Sequence, residues 1–161
     1  METTEDNNAP GAAARVVVFT LDGQRFALPL DSVMRVIPSV ELGRLPRAPA
    51  IVIGAVNYRG RVIPVVDIRG RFEMALKEIS LSDRLIISQT PKRTLAILVD
   101  DVIGVAEPFS GQVVPAKEVL PGLEYVEGVI KDADGLIIIH DLDRFLSIEE
   151  GTAIDEALKG V

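Results

Sequence analysis

The sequence predicts an all-β protein built as two similar small barrels with a short C-terminal helix. Three observations carry that prediction. Apolar residues make up 48% of the 161-residue chain, only 4% are aromatic and there is no Trp, so the core is aliphatic. The Val, Ile and Leu residues fall in short runs bounded by Gly, Pro, Asn or Asp, which suits strands rather than helices. The same order of runs also occurs twice along the chain.

Residues 1–14 are polar, carry Glu2, Glu5 and Asp6, and lack apolar periodicity. They read as a disordered tail, and without a basic start or an apolar stretch they are not a signal peptide. Val16 to Phe19 opens the first strand, Asp22-Gly23 marks a hairpin turn, and Phe26 to Leu28 returns. Asp31-Ser32 caps one helical turn from Val33 to Ile37, stopped by Pro38. Gly43, Pro46 and Pro49 make residues 42–49 a long connection. Ile51 to Val56 and Val62 to Val66 are strands around the turn Asn57 to Gly60. Pro64 cannot donate to a ladder, which places it at an edge or a bulge. Residues 72–82 form a looser insertion.

The pattern then restarts. Leu85 to Ile87 and Leu95 to Val99 are strands around the turn Thr90 to Lys92, and Val102 to Val105 follows. Residues 111–122 read as a loop with one turn at 116–120. Val126 to Ile130 and Leu136 to Ile139 flank the turn Asp132 to Gly135. The end reads as a helix over 147–161. Ser147-x-x-Glu150 and Thr152-x-x-Asp155 both resemble capping boxes, Leu146, Ile148, Ile154 and Leu158 supply an apolar stripe, and Gly160 falls at the C-cap.

The restart is an offset. Moving 69 positions takes Val16-Val17-Val18 onto Leu85-Ile86-Ile87, Phe26 onto Leu95, Asp31 onto Asp100, Val33 onto Val102 and Val36 onto Val105. Moving 74 positions takes Gly54-Ala55-Val56 onto Gly128-Val129-Ile130, Ile63 onto Ile137 and Asp67-Ile68 onto Asp141-Leu142. The match is one of apolar pattern with a few Gly and Asp, not of identity. It implies two β units, roughly 15–80 and 81–146. A small sheet exposes open edges, and closure into a barrel removes them. A unit that small is marginal alone, so the two share a core and leave a groove between them.

Charge and composition exclude several functions. The net charge is −7. The arginines of the first half sit on separate segments without interleaved aromatics, so nucleic acid is not an expected partner. With no Cys there is no disulfide, thiol nucleophile or Cys-ligated metal, which fits the cytosol. No apolar stretch approaches the roughly 18 residues of a membrane span, so no direct membrane contact is expected.

His140 is the only histidine. It reads either as a general base beside Asp141 or as a strand-end residue facing solvent or bonded locally. The second reading is preferred, because no thiol and no G-x-S-x-G elbow accompany it. Asp100-Asp101 and Asp141/Asp143 could pair around Mg²⁺, but strand-end Asp commonly caps the next turn. Asp132 to Gly135 is too short for a calcium loop, and no phosphate-binding loop is present. No catalytic residue, metal or cofactor is assigned. Asn57-Tyr58-Arg59-Gly60-Arg61 reads equally as an exposed pair of interface anchors or as ordinary turn chemistry.

At this turn the chain resembles a family. Gly54-x-x-Asn57-Tyr58-Arg59-Gly60-x-Val62-Ile63-Pro64-Val65-Val66-Asp67-Ile68-Arg69 is similar to the signature of CheW-like domains. Val99-Asp100-x-Val102-x-Gly104-Val105, Tyr125-Val126-x-Gly128-Val129 and Asp141-Leu142-Asp143 resemble its later landmarks, and the likeness covers about residues 15–150. It implies two intertwined five-stranded SH3-like β-barrels. It also implies a non-catalytic adaptor that couples the cytoplasmic tips of chemoreceptors, the methyl-accepting chemotaxis proteins, to the regulatory domain of the histidine kinase CheA. Such an adaptor is cytoplasmic and is recruited to membrane-associated receptor arrays.

The resemblance assigns a receptor-facing groove to Val33, Arg35, Gly54, Asn57, Arg59, Arg84, Val102 and Val105. It assigns kinase-facing patches to Val40, Leu45 and Pro46 on one barrel and to Val114, Pro115 and Val119 on the other. Tyr58 departs from the family's usual Leu, and Arg35 stands where an acidic residue is expected. Two other readings stay open: a regulatory CheW-like domain of a CheA-type or CheV-type protein, and a small β-barrel enzyme using His140 and Asp141.

Overall fold

The computed structural model describes residues 15–119 and 125–161, so the predicted N-terminal tail and the end of the predicted 111–122 loop lie outside the described residues. The strands are β1 (Val16–Leu21), β2 (Gln24–Pro29), β3 (Val33–Pro38), β4 (Val52–Tyr58), β5 (Arg61–Val66), β6 (Arg84–Gln89), β7 (Thr94–Val99), β8 (Asp101–Ala106), β9 (Val113–Pro115), β10 (Val126–Asp132) and β11 (Gly135–His140). A single helical turn, α1 (Ala116–Val119), follows β9, and α2 (Ile148–Lys159) ends the chain.

The strands form two sheets in the orders β8-β1-β2-β11-β10-β9 and β3-β6-β7-β5-β4. Each sheet takes strands from both halves of the sequence. The first hairpin, β1–β2, joins the late strands, and the later hairpin, β6–β7, joins the early ones. The exchange is made by two short parallel pairings, β2 with β11 and β7 with β5.

The duplication is visible in the register. Val65 lies opposite Ala96 in one sheet. Their repeat counterparts, Ile139 and Ala27, lie opposite each other in the second sheet. Bulges repeat as well, between Val52 and Gly54 in β4 and between Val126 and Gly128 in β10. β9, which pairs Val114 with Val129, has as its counterpart the single bridge from Gly43 to Ala55.

Burial explains why several strands are apolar without alternation. In β6, Leu85 and Ile87 pack inside their own sheet's cluster with Val56, Ile63, Val65, Ala96 and Leu98. Ile86, between them, points the other way into a shared core with Phe19, Phe26, Leu28, Ile97 and Phe145. In β1, Val16 and Val18 face an equivalent cluster of the second sheet, while Phe19 and Leu21 face the shared core. A strand buried on both faces needs an apolar residue at every position.

Four sequence expectations are corrected. Val33 to Ile37 is the edge strand β3 rather than a helical turn, because its β-branched residues pair with β6; the only helical turn there is a 3-10 turn at Leu30–Ser32. Pro64 lies in an interior strand by sheet order. Both backbone groups of Ala55, its partner, are used by Gly43, so the missing N–H faces away from β4, and pairing with β7 begins only at Val65. The predicted 111–122 loop contains β9. In α2 the Ser147–Glu150 capping box forms, but Thr152 lies inside the helix, Ile148 is exposed, and Gly151, Ile154 and Ala157 are the buried residues. Gly160 ends the helix, at an ordinary φ of −84°.

Two buried polar groups sit in this framework. The Arg69 side chain is fully buried. Its Nη2 donates to Asp100 Oδ1, and Asp67 and Asp22 carboxylates lie 3.6 and 3.9 Å from its guanidinium. The Asp22 backbone N–H donates to the other Asp100 oxygen at 2.7 Å. Burial raises the Asp100 pKa, but the Asp22 N–H and the Arg69 charge outweigh it and hold the carboxyl below its usual value. The cluster ties the β1–β2 turn to the end of β7.

His140 is the second. The sequence reading placed it facing solvent or bonded locally; it is instead fully buried, with neither ring nitrogen hydrogen-bonded. Its ring packs 5.9 Å from Phe72 and 4.8 Å from Phe145. Burial, helped by the charge of Arg71, lowers its pKa to about 3.

Removing one partner of a buried ion pair strands the other charge. Asp100→Ala is therefore expected to destabilise the fold by about 3 kcal/mol. Arg69→Met in that background should restore most of the loss, as read from urea denaturation midpoints. For His140, the unfolded imidazole takes up a proton near pH 6.5 while the folded one resists down to about 3. Between those values the unfolded state binds more protons, so stability falls as pH falls. His140→Phe should remove this component, a slope of up to about 1.4 kcal/mol per pH unit, with parallel behaviour above pH about 6.5. Denaturation midpoints from pH 7.5 to 4.5 measure it.

Candidate functional site

The surfaces open to partners are the sheet edges, and the repeat makes them equivalent in pairs. β3 ends one sheet and β8 ends the other. On each, one valine turns inward: Val33 and Val102 both pack on the shared core. Their neighbours face solvent. Met34 is 48% exposed on β3, and Ile103 and Val105 are 60% and 57% exposed on β8. Arg35 is exposed on β3 opposite Ile87. Arg84 stands at the far end of the same pair, opposite Pro38, where its guanidinium donates to the carbonyls of Ser82 and Asp83. Unpaired edges that carry exposed apolar residues are surfaces a monomer normally shields.

The structure does not group Gly54, Asn57 and Arg59 with β3. They lie on β4 and its turn, at the opposite edge of that sheet. Gly54 is buried, and a Cβ there would come 2.8 Å from Gly43 O and from Leu42 Cβ, so glycine is required for the Gly43–Ala55 bridge. Asn57 Oδ1 accepts from Gly60 N at 2.9 Å, fastening a tight turn in which Arg59 and Gly60 have φ of 54° and 84°. Asn57 and Arg59 are both exposed, and Arg59 carries the charge. Its guanidinium lies 5.2 Å from the centre of the Tyr58 ring, which holds the cation in place.

The second group of residues maps to the remaining edges. Val114 and Pro115 form β9, the free edge of the larger sheet. Val119 belongs to α1, and its side chain lies outside the described residues. Val40 and Pro46 are exposed beside the equivalent edge of the smaller sheet. Leu45 differs from its assignment as a surface anchor: it is buried against Ala55 and Ala157 of α2. Sequence reading missed the exposed Phe109, Val62, Met34 and Ile103. An apolar residue in a strand-like run gives no sign of facing out until the sheet order is known.

The residues weighed for chemistry are not arranged for it. His140 has no carboxylate partner. Asp141 Oδ1 instead accepts from the backbone N–H groups of Asp143 and Arg144, at 3.0 and 3.1 Å, as a turn cap. Burial, then the nearby Asp141 and Asp143 carboxylates, raises the pKa of Glu127. Among the described residues no group of His, Cys, Asp or Glu could hold a metal ion, and no helix is long and apolar enough to cross a membrane.

Comparison with known proteins agrees with this layout. The chain is 26% identical over 145 residues to the chemotaxis protein CheW of Klebsiella aerogenes, covering 89% of this chain and 87% of that one. It is 27% identical over 139 residues to the chemotaxis protein CheW of Thermotoga maritima, covering 84% and 91%. The crystal structure of the scaffolding protein TtCheW from Thermoanaerobacter tengcongensis superposes with a TM-score of 0.72 at 30% identity, over 83% of this chain and 90% of that one. The two sheets are accordingly the two SH3-like barrels that the resemblance implied. The family model of the CheW-like domain matches residues 15–150, and the chain belongs to the CheW-like domain family.

Proposed function

We propose that this protein is a non-catalytic adaptor that couples chemoreceptor tips to the regulatory domain of the kinase CheA in cytoplasmic, membrane-associated arrays. One observation supports the reading: the duplication gives each barrel an equivalent edge segment, β9 in one and the stretch around Gly43 in the other. A partner of the same fold can meet either edge by an equivalent contact. Heterologous contacts of that kind close into rings.

The receptor side rests on β3, β8 and the β4–β5 turn. Receptor tips are helical hairpins, and apolar strips such as Met34 and Val36 on β3 and Ile103 and Val105 on β8 suit a helix laid along them. Arg59, braced by Tyr58, supplies a positioned charge at the end of β4. Arg35, exposed on β3, puts positive charge where the family pattern expects negative, which selects receptors with an acidic residue at the matching position.

Three outcomes are expected. Arg59→Glu and Val105→Asp should each weaken co-sedimentation with receptor-bearing membranes by roughly tenfold or more, the loss of one hot-spot contact, while circular dichroism stays unchanged. Val114→Asp should leave receptor co-sedimentation intact and reduce binding of the CheA regulatory domain by a similar factor. His140→Phe, remote from every proposed contact, should leave both measurements as in the wild type.

A further inference from the structure

The two barrels are equivalent in register but not in what covers them. β9 stands open at the edge of the larger sheet, with Val114 partly exposed and Pro115 exposed. At the equivalent edge of the smaller sheet, α2 lies across Leu45. The contact is narrow. Ala157 meets Leu45 and Ala55 there with Ala48 and Leu158 alongside, and Gly151 and Ile154 are the other buried residues of the helix.

Ion pairs add to the attachment. Glu150 pairs with Arg71 at the start of the helix, and Arg93 donates two hydrogen bonds of 3.2 Å to Asp155, whose side chain is half exposed. Gly151 makes room for that arginine, since a Cβ there would sit 2.8 Å from Arg93 Nη2. The seal is also incomplete. A cleft of about 330 Å³ separates Pro46 and Arg47 from Glu156, Ala157 and Gly160. Val161, at the chain end, lines both this cleft and a neighbouring one bordered by Val40, Val56 and Val62.

From this geometry we infer that α2 is a displaceable cap on the docking patch of the first barrel, competing with the CheA regulatory domain for Leu45 and Ala55. The inference rests on the proposed reading of Val40, Leu45 and Pro46 as a kinase-facing patch. At Leu45 itself the helix presents only Ala157, with Leu158 alongside, and the ion pairs that flank it are partly exposed, so a partner can replace this end of the helix. Among the described residues no helix lies over β9 as α2 does over Leu45, so the two kinase contacts are unequal. One edge is permanently available, and the other is presented only by the lifted form.

The test uses the full chain and the CheA regulatory domain of the same organism. Ala157→Glu sets a carboxylate against Leu45 and Ala55 and should release the helix without touching the shared core. Its affinity for the regulatory domain should rise roughly tenfold, the gain expected if the lifted form makes up about a tenth of the free protein. Unchanged or weakened binding overturns the cap. Hydrogen exchange on the wild type gives a second reading that needs no variant. Adding the regulatory domain should reduce amide protection over residues 150–159, and steady or increased protection overturns the cap. Leu45→Asp in the Ala157→Glu background separates the two levels. If that double variant binds as tightly as Ala157→Glu alone, the docking patch itself is wrong. If Leu45→Asp abolishes the binding while Ala157→Glu never raised it, the patch stands and the cap falls.

Discussion

The apolar core shared between the two sheets is the constraint on which the rest of the molecule depends. β1, β2, β6 and β7 carry aliphatic or aromatic residues on both faces. Each strand must therefore be covered twice, once by the interior of its own barrel and once by the opposite barrel. A hairpin kept within its own half of the sequence would leave one face wet. Exchange of hairpins between the halves satisfies both faces, and the two parallel pairings are the geometric result. It also pushes β3, β8, β4 and β9 to the edges, where the surfaces available to other proteins lie.

Departures from the repeat are as informative as the repeat. Arg69 is buried with Asp67, Asp100 and Asp22 around it, whereas the residue 74 positions on is Asp143, which is exposed. The β1–β2 turn is thus fastened to β7 by charge in a way its counterpart hairpin is not. Helix α2 is likewise one-sided, lying over the Leu45 edge and not over β9. A duplicated fold supplies matching edges, and such singular additions make them different.

Much of the strand pattern could be read from the chain because turn chemistry is local. Asp22-Gly23, Asn57 to Gly60 and Asp132 to Gly135 each mark a hairpin with residues that tolerate positive φ or bond their own backbone. The Ser147 capping box is equally local. What the chain hides is tertiary. Val33 to Ile37 looks like a capped turn until β6 pairs with it. Pro64 looks like an edge residue until the Gly43 bridge shows which way its nitrogen faces. His140 looks like a surface group because a buried imidazole with no hydrogen bond contradicts the usual expectation for polar residues. Within the candidate site, Val33 and Val102 lie on edge strands and Arg59 on a turn. Gly54 and Asn57 serve backbone geometry, and Leu45 is hidden by a helix about a hundred positions downstream.

The parallel pairings bear on how the chain is made. β2 finds its second neighbour only in β11, and β5 finds its own only in β7, so neither barrel can close from one contiguous stretch. Contacts this distant in sequence slow folding and leave strand edges open while they wait. During translation the first hairpin emerges early yet stays half-covered until His140 has left the ribosome. Neither half of the chain holds all the strands of one barrel, so the two halves depend on each other to complete their sheets.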